Sequence, residues 1–342
     1  MTTAQAARPS PMGPDLAATA RFILETQHPS GAIPWFHGGI IDPWDHVEAA
    51  MGLASAGHLE AAHAAYAWLQ SEQGTEGGWY VAYDEHGVTD TSRIETNFVA
   101  YIAVGIWHAH LIQKDLDRLR RYWPMVEKAI DFVIDCQGPL GQIYWAKDSS
   151  QGIRKDALIT GCSSIFKSLA CALSIADALG EAKPEWHHAR GSLQSALLHH
   201  PEAFDCTWES KARFSMDWFY PILAGVITGP EANARIEARW HEFVVQDLGC
   251  RCVNDEPWVT VAETCELVMS LAAMGDLKRA TQLFSWIQQF REVDGSYWTG
   301  YVFRDDAIWP EEKTTWTAGA VLLASDMLSK RSPGHTLFHW QD

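Results

Sequence analysis

The chain has 342 residues, 47% of them apolar, which is enough for a large core and excludes a disordered or disulfide-stapled chain. Its formal charge of −17 excludes the basic face that a nucleic-acid backbone or an anionic membrane surface requires. Tryptophan is the outlier, with 17 residues, roughly fourfold ordinary usage.

Residues 1–13 are rich in Ala, Pro and Ser, lack the apolar stretch of a signal peptide and read as a disordered arm; residues 14–342 are expected to form one domain. From there two kinds of helical pattern alternate. Charged, amphipathic segments are predicted over 14–27, 58–73, 116–137, 184–200, 230–247 and 276–290. Apolar segments follow each of them, over 44–57, 92–112, 158–180, 214–228, 259–275 and 314–330. A helix apolar around its girth is surrounded by protein. Six such helices paired with six half-exposed ones predict an inner and an outer ring, an all-α single (α/α)6 toroid; an open solenoid of the same pairs is the competing architecture. No uninterrupted run of 18 apolar residues occurs; the run 98–112 is broken by His108 and His110, so no transmembrane helix is expected. The odd count of seven cysteines, without regular spacing, points to reduced thiols and a cytoplasmic protein.

The connectors that enter the apolar helices share a pattern. Gln27, Gly31 and Trp35 recur as Gln73, Gly77 and Trp79, and again as Gln137, Gly141 and Trp145; a fourth copy has Arg291, Gly295 and Trp298. A Gln amide satisfies free backbone groups at a helix end, Gly allows the turn and Trp packs over the exit. Gly77 in particular is expected to need positive φ or a close approach. The string Gln73-x-x-x-Gly77-x-Trp79 resembles the QW motif of the terpenoid cyclases, whose α/α toroids are related to the protein prenyltransferase β subunits. The resemblance implies acid-initiated chemistry on a terpenoid or polyprenyl compound. The Asp-x-Asp-Asp string of those cyclases and the Asp-x-Cys zinc pair of the prenyltransferases do not occur, and neither a metal nor another cofactor is expected.

Aligning the apolar helices places Glu48, Glu95, Asp217 and Glu263 at one repeat position, with Ser163, Ser164 and Thr317 in the other two helices. Acids near helix starts often act as caps. These four lie within apolar surroundings, where an unpaired carboxylate is costly or takes up a proton, and this predicts an acidic cavity on the toroid axis. Asp217, set between aromatics, is the expected proton donor, with Glu95 or Glu263 taking a proton back, and isosteric Asp217→Asn and Glu263→Gln are expected to abolish turnover. Asp42, Asp45 and His46 open the first apolar helix, and Asp45 with His46 forms a further acid/base candidate. Asn97, Asp255, Glu256, Glu266 and Tyr220 are expected at the same level as binding residues. The aromatic candidates for substrate contact are Trp35, Trp44, Trp79, Trp145, Trp218, Trp258 and Trp298. Aromatic faces stabilise carbocations and stack equally well on sugar rings. Three functions therefore stand side by side. The first is a terpenoid cyclase, isomerase or lyase. The second is a carbohydrate-active enzyme with paired carboxylates on a six-hairpin barrel. The third is a non-catalytic scaffold. The partner expected in the two enzymatic readings is a small molecule; oligomeric state is not readable.

Overall fold

The computed structural model describes residues 14–340, so the expected arm lies outside the described residues. Helix and apolar patterning coincide. The outer helices are α1 (Leu16–Thr26), α3 (Leu59–Glu72), α6 (Leu116–Ile134), α8 (Pro184–His199), α10 (Gly229–Phe243) and α12 (Leu277–Trp286). The inner helices are α2 (Pro43–Ser55), the pair α4 (Thr96–Ala100) and α5 (Ile102–Gln113), α7 (Ile159–Leu179), α9 (Ser215–Leu223), α11 (Val261–Ala273) and α13 (Thr315–Ser329). Each inner helix packs on the next around the ring, and α13 packs against both α2 and α1, which closes it. At that closure Gly52 and Gly319 face one another. A Cβ on Gly52 would stand 2.6 Å from the Gly319 Cα, so only paired glycines let α2 and α13 approach this closely.

Two expected segments are shorter than their patterns. The segment 92–112 begins as strand and its helix is interrupted at Tyr101 between α4 and α5, and 214–228 is helical only to Leu223, with Pro221 in its last turn. The apolar helix α7, at 21 residues, has the length and composition of a membrane span, which inspection for unbroken apolar runs misses because Lys167 and Asp177 interrupt it. Here it is an inner helix packed against α5, α6, α8 and α9.

Long connectors meet at the rim where the inner helices start, and the short strands belong to them. β1 (Ala82–Asp84) pairs with β2 (Gly87–Asp90); β3 (Arg93–Glu95), β4 (Ala146–Asp148) and β5 (Gly152–Arg154) form a second antiparallel sheet. A third sheet runs in the order β10 (Ala307–Ile308), β9 (Gly300–Val302), β8 (Trp258–Thr260), β7 (Gly249–Arg251), β6 (Val244–Val245). The repeated glutamines clamp this rim. Nε2 of Gln27, Gln73 and Gln137 each donates to the carbonyl of the connector glycine, Gly31, Gly77 or Gly141, at 2.8–2.9 Å. Each also donates to the next outer helix, at Ala61, Met125 or Ala189. One amide thus ties two hairpins together, and the motif is a joint of the toroid.

Candidate active site

The backbone sets equivalent heights around the ring. The first residue of four inner helices, Thr96, Ser215, Val261 and Thr315, donates its N–H to a connector carbonyl, at Trp145, Cys252, Thr299 and Trp35 respectively. Counting from those starts, the third positions are Asp45, Phe98, Gly161, Asp217, Glu263 and Thr317, and the sixth are Glu48, Tyr101, Ser164, Tyr220, Glu266 and Ala320. The repeat alignment drawn from sequence is thereby corrected. Asp217 and Glu263 share a level, but Glu48 lies one turn deeper, and Glu95 is the residue before α4, at the end of β3. The equivalent of Asp217 and Glu263 on the first inner helix is Asp45.

Five acids make up the central cluster: Asp42, Asp45, Glu48, Glu263 and Glu266. The buried Asp42 caps α2, its Oδ1 accepting from the Trp44 and Asp45 amides at 3.0 Å, while its Oδ2 accepts from Trp35 Nε1 at 2.6 Å. Burial raises its pKa, and these bonds together with one from the Asp45 carboxyl oppose the rise. Asp45 is driven well above the carboxylate range, first by burial and then by Asp42, Glu48 and Glu266, so it carries a proton directed at Asp42. Glu48 is pushed up to about 8 by burial and by Glu263 and Asp42. Glu266 is likewise raised, by burial and then by Glu48 and Glu263. Among the described residues the leading influences on these four carboxyls include no cation, so the cluster shares protons in place of counter-ions. Capping does not account for the remainder, because Glu95 stands at the N-cap of α4 without a side-chain capping bond, and Asp217 and Glu263 are not the cap residues of their helices. Glu263 is partly open, and its Oε2 has no hydrogen-bond partner.

Tyr101 and Tyr220 hydrogen-bond to one another on the floor, both facing Glu48 and Glu266. Trp44 stands over them, 5.7 Å from the Tyr101 ring and 6.1 Å from Tyr220. Beside it a cavity of about 90 Å3 is lined by Trp44, Glu95, Asn97, Ile143, Trp145, Leu158, Thr160 and Cys162. Glu95 is held by Arg93, with Nε 2.8 Å and a terminal guanidinium nitrogen 2.7 Å from Oε1; burial still raises its pKa. The buried Trp44 Nε1 and Asn97 Oδ1 have no protein partner, which leaves them for ligand hydroxyls.

Several expected roles are corrected by packing. Asp217 stands apart from the cluster. Its Oδ1 accepts from Thr160 Oγ1 at 2.8 Å, and the acidic neighbour acting on it is Asp205. Asp217→Asn is therefore expected to keep turnover within about tenfold of wild type, since acid–base roles are worth more than that; a complete loss in steady-state assays would return it to the catalytic set. His46 accepts from the Ile33 amide through Nδ1 and contacts the Ala65 carbonyl through Nε2, both at 3.0 Å. With both nitrogens engaged and burial lowering its pKa to about 4, it is a structural residue. Trp79 and Trp218 are buried and spend Nε1 on the Leu69 and Arg235 carbonyls. Trp258 donates to Trp309 O, and Trp298 to Glu292 in its own connector. Asp255 is exposed in a bidentate pair with Arg213, and Glu256 is exposed beside it. The structure brings Trp35, Trp44, Trp145, Asn97, Tyr220 and Glu266 to the site. Sequence reasoning missed Arg93, Thr160, Tyr101 and the partnership of Asp42 with Asp45. Arg93 was findable, since residues i and i+2 of a strand share a face. Among the described residues no group of three or more His, Cys, Asp or Glu is arranged to hold a metal ion.

Stability should register the shared protons. A carboxyl whose folded pKa is raised contributes stability that is complete below its unfolded pKa and lost as pH rises through the folded one. For Glu48 that window runs from 4.5 to about 8. His46 and His108, lowered from 6.5 to about 4, act oppositely but only below 6.5. Between pH 6.5 and 8 the melting temperature is thus expected to fall, and to fall less in Glu48→Gln; equal slopes in the two proteins would show that Glu48 holds no proton.

An (α/α)6 toroid with buried, proton-sharing carboxyls gathered on two inner helices, α2 and α11, has solved structures of similar shape that include glycosidases. A glycosidase variant in complex with glucose superposes with a TM-score of 0.73 at 15% identity, over 92% of this chain and 96% of that one. The GH63 mannosylglycerate hydrolase of Thermus thermophilus gives 0.72 at 14%, over 92% and 100%. A D-mannose isomerase gives 0.68 at 12%, over 92% and 96%. At these identities the likeness is one of fold. No protein-family model matches the chain. In sequence it is 51% identical over 324 residues to the MMP endo-(1,4)-3-O-methyl-alpha-D-mannosidase of Mycolicibacterium hassiacum, covering 95% of this chain and 89% of that protein. The chain belongs to that mannosidase's family. This overturns the terpenoid cyclase and prenyltransferase resemblance and the polyprenyl substrate it implied. The glutamine–glycine–tryptophan connector reports the joint of an α/α toroid, and that joint is indifferent to the chemistry in the bore.

Proposed function

We propose that the protein is an endo-acting glycoside hydrolase that cleaves α-(1→4) bonds between 3-O-methyl-D-mannose units. The identity of 51% along nearly the whole chain with an enzyme of that activity carries the reading. The site's chemistry supports it: a glycosidase needs one carboxyl protonated and one ionised on either side of the scissile bond. Asp45, held protonated by its acidic neighbours and partly exposed, donates to the glycosidic oxygen. Glu263, partly exposed and with an unpartnered Oε2, serves the anomeric carbon, either through water or directly. Glu48 and Glu266 below them buffer the charge. Arg93–Glu95, Asn97, Trp44 and Trp145 line the sugar-binding side. A neutral saccharide suits a chain of charge −17 better than an anionic one.

The test is incubation with an α-(1→4)-linked 3-O-methylmannose oligosaccharide and with its unmethylated counterpart, followed by mass spectrometry. Internal cleavage of the methylated chain is expected, giving oligosaccharide products and no early monosaccharide. Release of single sugars from an end, or activity only on an unrelated glycoside, would replace this reading. Proton NMR of the fresh product's anomer assigns Glu263 as base or nucleophile.

A further inference from the structure

The end of the toroid opposite the acid cluster has the reverse electrostatics. There α5, the part of α7 from Lys167 onward, α8, the turn after α9 and residues 336–340 enclose a cavity of about 180 Å3. Lys167 and Cys171 of α7, Arg190 of α8 and His339 line it. Among the described residues no carboxylate answers these charges. Among the described residues the titratable groups acting on Lys167 are the Cys171 thiol and Arg190, and on Arg190 the Cys171 thiol alone. His339, its pKa lowered first by burial, also faces His335 and the cations Lys330 and Lys167. Arg190 Nε is buried without a hydrogen-bond partner, and its guanidinium lies 3.9 Å from the Phe166 ring. Lys167 Nζ is 5.6 Å from the Phe338 ring, in the segment that Trp340 pins by donating to the Ile222 carbonyl. Two cations half-buried against aromatic rings, without a counter-charge among the described residues, in a chain of net charge −17, are an unbalanced cost unless something anionic joins them. The Cys171 thiol does not supply that charge, because burial raises its pKa to about 11.

We propose that this cavity is a binding site for a small oxyanion, a phosphate or a carboxylate, held between the Lys167 ammonium and the Arg190 guanidinium. Guanidinium and ammonium donors make their strongest hydrogen bonds to such groups. The volume exceeds several waters, so a free anion or the anionic end of a larger molecule fits. The bound group would fasten the C-terminal segment to α7 and α8, independently of hydrolysis at the far rim.

The measurement is the melting temperature in inorganic phosphate, in acetate and in sodium chloride of matched ionic strength. Phosphate or acetate is expected to raise it saturably by a few degrees over chloride, and the stronger of the two identifies the class of anion. Lys167→Met should melt at or above wild type without anion, since it removes an unpaired buried cation, and should weaken anion binding at least tenfold. Arg190→Gln should do the same for binding and serves if Lys167→Met does not fold. Oligosaccharide hydrolysis should be unchanged in both. Equal melting in all three salts, or an undiminished anion effect in the folded variants, overturns the site.

Discussion

Asp45→Asn and Glu263→Gln are each expected to lower hydrolysis of the methylmannose oligosaccharide by about 10²–10⁴-fold, the range lost with a general acid or base, while the chain stays folded. Both are isosteric. Asp45 is held protonated among Asp42, Glu48 and Glu266, so a neutral amide there preserves its charge, cannot ionise and keeps a donor toward Asp42. Its melting temperature should hold or rise. The two losses should differ in their pH profiles. An enzyme without its acid loses the alkaline limb set by Asp45, because wild-type rate falls as that carboxyl ionises, whereas one without its base loses the acidic limb. Glu266→Gln separates catalysis from charge buffering. It lies one turn below Glu263 and should shift the alkaline limb more than it lowers the plateau. Retention of activity within tenfold in folded Asp45→Asn, measured at the pH optimum, would remove Asp45 from the acid role.

Gly77→Val is expected to destabilise the protein by about 3 kcal/mol or more, from a left-handed backbone of roughly 1–2 kcal/mol and overpacking of similar size. Gly77 has φ of +99°, and a Cβ there would collide with the Lys128 carbonyl of α6. Relief by moving the connector would break the Gln73 clamp, whose amide donates to the Gly77 and Met125 carbonyls. Gly57→Val is the control. Its φ is +92°, but nothing lies within 4 Å of the added Cβ. The control should show only the conformational share. Thermal melts of the two variants therefore separate strain from collision, and equal losses would mean that the connector yields freely.

How much was legible from sequence differs between ring and site. Twelve alternating segments, apolar or amphipathic, are a local property of the chain, because a helix surrounded by protein must be apolar on every face. The toroid, its six inner helices and the glutamine–glycine joints were readable for that reason. Buried acids in apolar helices were readable too, since an unpaired carboxylate in such a place is costly and marks a cavity. Which acids meet was not. A shift of three residues moves a side chain one helical turn, about 4.5 Å along the axis, and the starts of α2 and α4 are set by Asp42 capping and by the pairing of β3 with β4. That is why Glu48 belongs one turn below Asp45, why Glu95 ends a strand beside Arg93, and why Asp217 faces Thr160 and Asp205. Tryptophans of one composition likewise divided by where Nε1 found a carbonyl. Trp79 and Trp218 are joints, whereas Trp44 stays unsatisfied at the cavity. The sequence by itself determined the periodicity that winds the chain into two rings. Only the tertiary structure decided which charges face one another, because protons are shared across distances that no single helix spans.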